Sequence, residues 1–269
     1  MNIGRTFLAL TLGLTTLGVV AAATTFLGDS DDPGSPSIAT ANIDSETIVA
    51  GDDLDQTIGA LQTSLAERED ARGYTALGVA YLQKVRETGD PTYYTQAEGV
   101  LDKALELDPN NFEALTSKGA LALARHDFEG ALELGLKAKE INPDNAHNYG
   151  VIGDALLELG RYDEAFEAFQ TMVDTRPDLS SYARISYARE LTGDIEGAII
   201  AMEQAREAGG GRPENVAFTA ALVGNLYFGK GDLDRAELEY SRANAILPDY
   251  PPALAGLGRG GPPPPPPLR

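Results

Sequence analysis

Two histidines, no cysteine and 41 acidic residues bound the chemistry open to this chain. A metal centre needs several His, Cys, Asp or Glu side chains at ligand spacing. His126 sits in the phrase RHDFEGAL and His147 stands apart from it, with no His-Glu-x-x-His pattern. Both histidines are read as surface residues. Asp52 with Asp53, and Glu67 with Glu69 and Asp70, are of the type used in acid–base work. They fall at the ends of predicted helices, where solvated charge is the ordinary explanation. Gly209, Gly210 and Gly211 lack the Lys and Ser/Thr of a phosphate-binding loop and read as a flexible connection. No Gly-x-Ser-x-Gly occurs. The sequence therefore predicts no catalytic residue, no metal and no cofactor.

Charge narrows the partners. The formal charge is -20, from 41 acidic and 21 basic residues. Such a field repels DNA, RNA and anionic lipid, and favours basic or neutral partners. Plain solubility is the competing explanation. The absence of cysteine excludes disulfides, thiol catalysis and zinc fingers.

A repeated spacing organises the chain. Pro109, Pro143 and Pro177 are each 34 residues apart, as are Ala97, Ala131 and Ala165, and Gly119 and Gly153. The phrases LELDPNN, KEINPDN, VDTRPDL and AILPDYP rhyme, and so do RHDFEGAL, GRYDEAFEAF, GDIEGAI and GDLDRAELEY. Glycine in the second set permits a left-handed helix end. The acidic residues after it face the positive end of the next helix dipole. The alanines let helices approach closely, and each proline stops the second helix of a unit. Ile152, Leu156 and Leu159 form one helical stripe, and Ala165, Phe166 and Phe169 another. No stretch alternates like a strand, so the chain reads as all-α.

The unit is clearest over 146–179, where Tyr149, Gly153, Tyr162, Ala165, Phe169 and Pro177 recur in register. In this it resembles the tetratricopeptide-repeat family, whose 34-residue unit is a helix–turn–helix. The resemblance covers about 71–258 and implies a right-handed superhelical solenoid. Five units are read: 71–111 with an insertion at 87–94, 112–145, 146–178, an irregular fourth from Leu179, and 217–249. The fourth has Ser186 and Tyr187 in place of the usual residues. A sixth begins at Pro251. A capping helix precedes them, with Leu54, Ile58, Leu61 and Leu65 on one face and Asp52 or Asp53 as its cap. The domain is taken as 51–258.

The resemblance implies a protein or peptide partner, held in a groove lined by the first helix of each unit. By register the lining positions are Arg72, Thr75, Val79, Thr116, Ala120, His147, Gly150, Asp154, Arg184, Tyr187, Ala221 and Asn225. The family's clamp for a carboxylate tail uses Lys, Arg and Asn together. Here Arg72, Arg184 and Asn225 are scattered, so no chaperone-tail receptor is expected.

Two terminal segments complete the reading. Residues 6–27 carry no charge, after Arg5 and before Asp29, Asp31 and Asp32. They read as a signal peptide or an N-terminal membrane anchor, with the remainder outside the cytoplasm. Residues 28–50 read as a disordered linker. Residues 259–269 form a Gly/Pro-rich tail, read as a truncation or frameshift product in preference to a proline-rich ligand. The leading expectation is an extracytoplasmic interaction scaffold. The alternatives are the recruiting fragment of a larger enzyme and a structural spacer at the membrane.

Overall fold

A computed structural model of the chain describes residues 51–259. The expected targeting segment, the linker and the tail beyond Arg259 lie outside the described residues, as do the side chains of Asp52 and Asp53. Among the described residues there are twelve helices and no strand. They are α1 (Gly51–Glu67), α2 (Ala71–Thr88), α3 (Thr92–Leu107), α4 (Phe112–Ala124), α5 (Phe128–Ile141) and α6 (Ala146–Glu158). Next come α7 (Tyr162–Thr175), α8 (Leu179–Leu191), α9 (Ile195–Ala208), α10 (Pro213–Lys230), α11 (Leu233–Ile246) and α12 (Pro251–Arg259). Successive helices pack as antiparallel pairs, and the pairs stack in chain order as an all-α solenoid.

Local chemistry sets the boundaries. The Asp127 carboxylate accepts from Gly130 N at 3.0 Å, Asp194 from Gly197 N at 3.0 Å and Asp232 from Arg235 N at 3.3 Å. These acids act as N-caps, and Glu129, Asp163, Glu196 and Asp234 follow in the first turn, where the sequence placed them. Arg161 holds the matching place before α7 and makes no side-chain cap bond. Asp178 and Ser181 form a reciprocal capping box on α8. The fifth pair begins four residues early, at Pro213, because proline is suited to the first helical turn.

Packing follows the repeat. Ala97, Ala131, Ala165 and Ala198 are fully buried at the same place in successive second helices, and Ala236 is nearly so. Gly153 faces the ring of Phe169, and Gly224 faces the ring of Tyr240. A methyl group at either glycine would enter the ring. In the fourth unit Ser186 takes the glycine's place, and its hydroxyl donates to the Ala198 carbonyl at 2.8 Å. The irregularity seen in the sequence is thus a serine that bonds where its sisters leave space. At the N-terminal end Leu54, Ile58 and Leu65 are buried against Tyr74, Leu77 and Leu101.

His126 is exposed and has φ of +61°. Gly160, Gly193 and Gly231 fill the same turn in later units, with φ of +76°, +86° and +84°. A side chain in this region is strained, whereas glycine is not. His126→Gly is expected to raise stability by about 0.5–1 kcal/mol. A urea midpoint that fails to rise would show that the T-shaped contact of His126 with Phe128, at 5.6 Å, offsets the strain.

Candidate functional site

The first helices α2, α4, α6 and α8 lie side by side, joined by a seam of polar contacts. Asn111 Nδ2 donates to Thr75 Oγ1 at 3.1 Å. Thr116 Oγ1 donates to Asn148 Oδ1 at 2.6 Å, and Asn148 Nδ2 donates to the Asn142 carbonyl at 2.7 Å. Between α6 and α8 the bond becomes ionic. Arg184 Nε reaches both Asp154 oxygens at 2.9 and 3.1 Å, and Nη2 reaches Oδ2 at 2.9 Å. At the far end Arg259 Nη2 donates to Asn225 Oδ1 at 2.9 Å, linking α12 to α10. Through these bonds α2, α4, α6 and α8 run parallel and form one face.

The seam decides which expected lining residues a ligand could touch. Thr75, Val79, Thr116, His147, Gly150, Arg184 and Ala221 are buried. Thr75, Thr116 and Arg184 are consumed by the contacts just described. His147 was expected at the surface and is only 4% exposed, because α6 packs on α4, α5 and α7 at once. His126 is at the surface. Arg72 is exposed, while Ala120, Asp154, Tyr187 and Asn225 are partly open. The accessible part of the face is therefore a narrower strip than register alone suggested. Register also missed two acids whose charges bear on Tyr187. Glu158 ends α6 and Glu190 lies in the last turn of α8, and both carboxylates act on the Tyr187 hydroxyl. Their signal in the sequence was an acid at a helix C-terminus, where cations are the stable choice.

Comparison with known proteins agrees with this geometry. Tetratricopeptide-repeat family profiles match residues 122–189 and 100–133. The repeats are tetratricopeptide (TPR) repeats. Superkiller complex protein 3 of Mus musculus is 32% identical over 85 residues, which are 32% of this chain and 5% of that protein. A STIP1 homolog of Dictyostelium discoideum is 39% identical over 72 residues, 27% of this chain and 13% of that one. This chain thus spans only a small part of those relatives. A thermophilic TPR protein of Thermus thermophilus has a TM-score of 0.61 at 20% identity, over 71% of this chain and 98% of that one. The APC/C hetero-tetramer Cut9–Hcn1 gives 0.65 at 16% identity, over 76% of this chain and 39% of the matched chain. At these identities the two structures speak to fold alone. Among the described residues no helix is long and apolar enough to cross a membrane.

Electrostatics distinguish this TPR array. Its cations bridge neighbouring helices: Lys84 to Asp55 at 2.6 Å, Lys118 to Asp102 at 2.5 Å, Arg125 to Glu98 at 2.8 Å and Arg206 to Glu239 at 2.8 Å. Lys230 pairs with Glu196 in the same way. Several carboxyls are left in partly dry surroundings. Burial pushes Glu113 up against the pull of Arg72, Glu190 up unopposed, and Glu203 up against the pull of Arg206. A carboxyl raised in the folded state contributes stability that is full below the unfolded carboxylate range and is lost as pH rises through the raised value. Self-repulsion of the -20 charge acts in the same direction. The melting temperature is therefore expected to be about 2 °C higher at pH 5 than at pH 7. A melting curve that moves the other way would mean these carboxylates are stabilised as anions.

Proposed function

We propose that the chain is a binding scaffold and not a catalyst, holding a segment of a partner protein along its first-helix face, outside the cytoplasm. The observation that carries this reading is the face of parallel first helices, with Ala120 and Tyr187 partly open on it and Asn225 partly open on α10. Stacked repeats of this kind present an extended concave surface suited to an extended or helical peptide. The TPR fold supports a protein or peptide partner. The net charge of -20 supports a basic or neutral one and argues against nucleic acid. The uncharged residues 6–27, flanked by Arg5 and Asp29, support export, by cleavage or by anchoring.

The test is photo-crosslinking in the native host. A photoreactive amino acid at Ala120 or Asn225 is expected to trap a defined partner. The same group at Ile200 or Leu238, exposed on second helices, is expected to trap none. Crosslinks only from Ile200 and Leu238 would move the binding surface to the opposite face. Alkaline phosphatase fused after Arg259 is active only when exported, so an inactive fusion would overturn the location.

A further inference from the structure

We propose that the array carries a second docking cleft, between α5 and the turn from α6 to α7, which takes a basic partner segment. One large apolar side chain of the partner sits on Leu132, Leu136 and Leu159, and a neighbouring lysine or arginine meets Glu129 or Glu133. The cleft lies apart from the first-helix face and stands without the groove reading above.

The cleft has a volume of about 460 Å³ and is lined by Glu129, Leu132, Glu133, Leu136, Leu159 and Arg161. Leu132 and Leu136 stand one turn apart on α5, as do Glu129 and Glu133. Leu136 is 44% exposed, and Leu132 and Leu159 are partly open.

The sister units show what has changed here. The residue just before the left-handed turn position is Arg125, Thr192 or Lys230 in them, and Leu159 in this one. Arg125 reaches back to Glu98 on α3 at 2.8 Å, and Lys230 reaches back to Glu196 on α9. Glu98 and Glu196 hold the register places of Leu132 and Glu129. The ion pair that ties each of those two junctions is thus missing between α5 and α6, where Leu159 has replaced the cation. Packing alone would account for Leu132 and Leu159. It does not account for Leu136, whose sisters are Asp102, Gln170, Glu203 and Ser241 and which solvent reaches.

Charge decides the occupant. Glu196 receives Lys230, but Glu129, at the same register, pairs with no cation among the described residues, and neither does Glu133. Arg161, on the rim, is spent on Glu164 through Nε at 2.7 Å and Nη2 at 2.5 Å. The cleft is therefore an apolar floor edged by two unneutralised carboxylates, on a chain of charge -20. A partner's ammonium or guanidinium at Glu129 restores the contact that Lys230 makes in the sister junction. A large apolar side chain next to it takes the leucines out of water. An acidic partner is repelled.

The test is a phage-displayed random peptide library, selected on the immobilised full chain and depleted on Leu136→Gln with Leu159→Lys. Those two substitutions install the residues that sister units carry at 170 and 230, so the variant should melt as the wild type does. Peptides that survive depletion should place a large apolar residue within one helical turn of Lys or Arg. Anisotropy titration of the leading peptide should show affinity falling as salt rises. Glu129→Gln with Glu133→Gln, both exposed, should weaken it about tenfold. Asp163→Asn with Glu167→Gln, the same positions in the next unit, should change it less than about twofold. The proposal is overturned if no peptide survives depletion, if the survivors lack basic residues, or if the Glu129/Glu133 variant binds as wild type. It is also overturned if the Asp163/Glu167 variant weakens binding as much. Crosslinking from Ala120 tests the first-helix face separately, so either surface can fail without the other.

Discussion

Arg184→Ala is expected to lower the unfolding free energy by about 3–5 kcal/mol. The guanidinium is 3% exposed and Asp154 is 13% exposed, so the pair is nearly dry. Three hydrogen bonds hold it, and Nη1 also reaches the Ser180 carbonyl at 3.2 Å. Burial already pushes the Asp154 carboxyl up, and Arg184 is what opposes it. Alanine would leave a desolvated carboxylate with no counter-charge. Breaking such a pair costs more than the pair itself contributes, because the surviving ion keeps its desolvation penalty. The loss should shrink in acid, where Asp154 can protonate and become neutral. Arg184→Met with Asp154→Leu should recover most of the stability, since two apolar groups need no partner. Urea unfolding followed by circular dichroism at pH 7 and pH 5 measures all three. A loss below about 1 kcal/mol at pH 7 would mean that water reaches the pair.

The second large effect lies in the core. Phe169→Ala is expected to cost about 3–5 kcal/mol, because a fully buried ring is replaced by a cavity between α6 and α7. Gly153→Ala attacks the same contact from the other side. Its methyl would enter the ring of Phe169 and cost about 1–3 kcal/mol. In Gly153→Ala with Phe169→Leu the smaller side chain makes room for the methyl. The double variant should therefore be more stable than the sum of the two single effects predicts. Strict additivity in thermal melts would show that the glycine and the ring do not share one space.

The helices were legible because their causes recur. The alanines at 97, 131 and 165, the glycines at 119 and 153, and the prolines at 109, 143 and 177 repeat at one interval. Any single unit can be read from its sisters. The binding strip was less legible because its causes do not recur. Register made Thr75, Thr116 and Arg184 look like groove residues. Each instead spends its polar atoms on a neighbour about 30 residues away, as when Arg184 turns to Asp154. Which side chain turns to its neighbour depends on a pair of residues, and a repeat shows only one residue at a time. Glu158 and Glu190 escaped notice for the opposite reason: acids on an acidic chain look like ordinary surface.

The seam also bears on how such an array can change over generations. Repeat genes gain and lose units through unequal recombination, and a uniform array tolerates either event. Here four of the five junctions carry a polar pair, and the pairs are not all alike: Thr75 with Asn111, Thr116 with Asn148, Asp154 with Arg184, Asn225 with Arg259. Loss of the third unit would bring α8 against α4 and set Arg184 beside Ala120, burying a guanidinium with no carboxylate to meet it. Each of these units is thus matched to its own neighbour, and exchanging their order would cost stability at the mismatched junction.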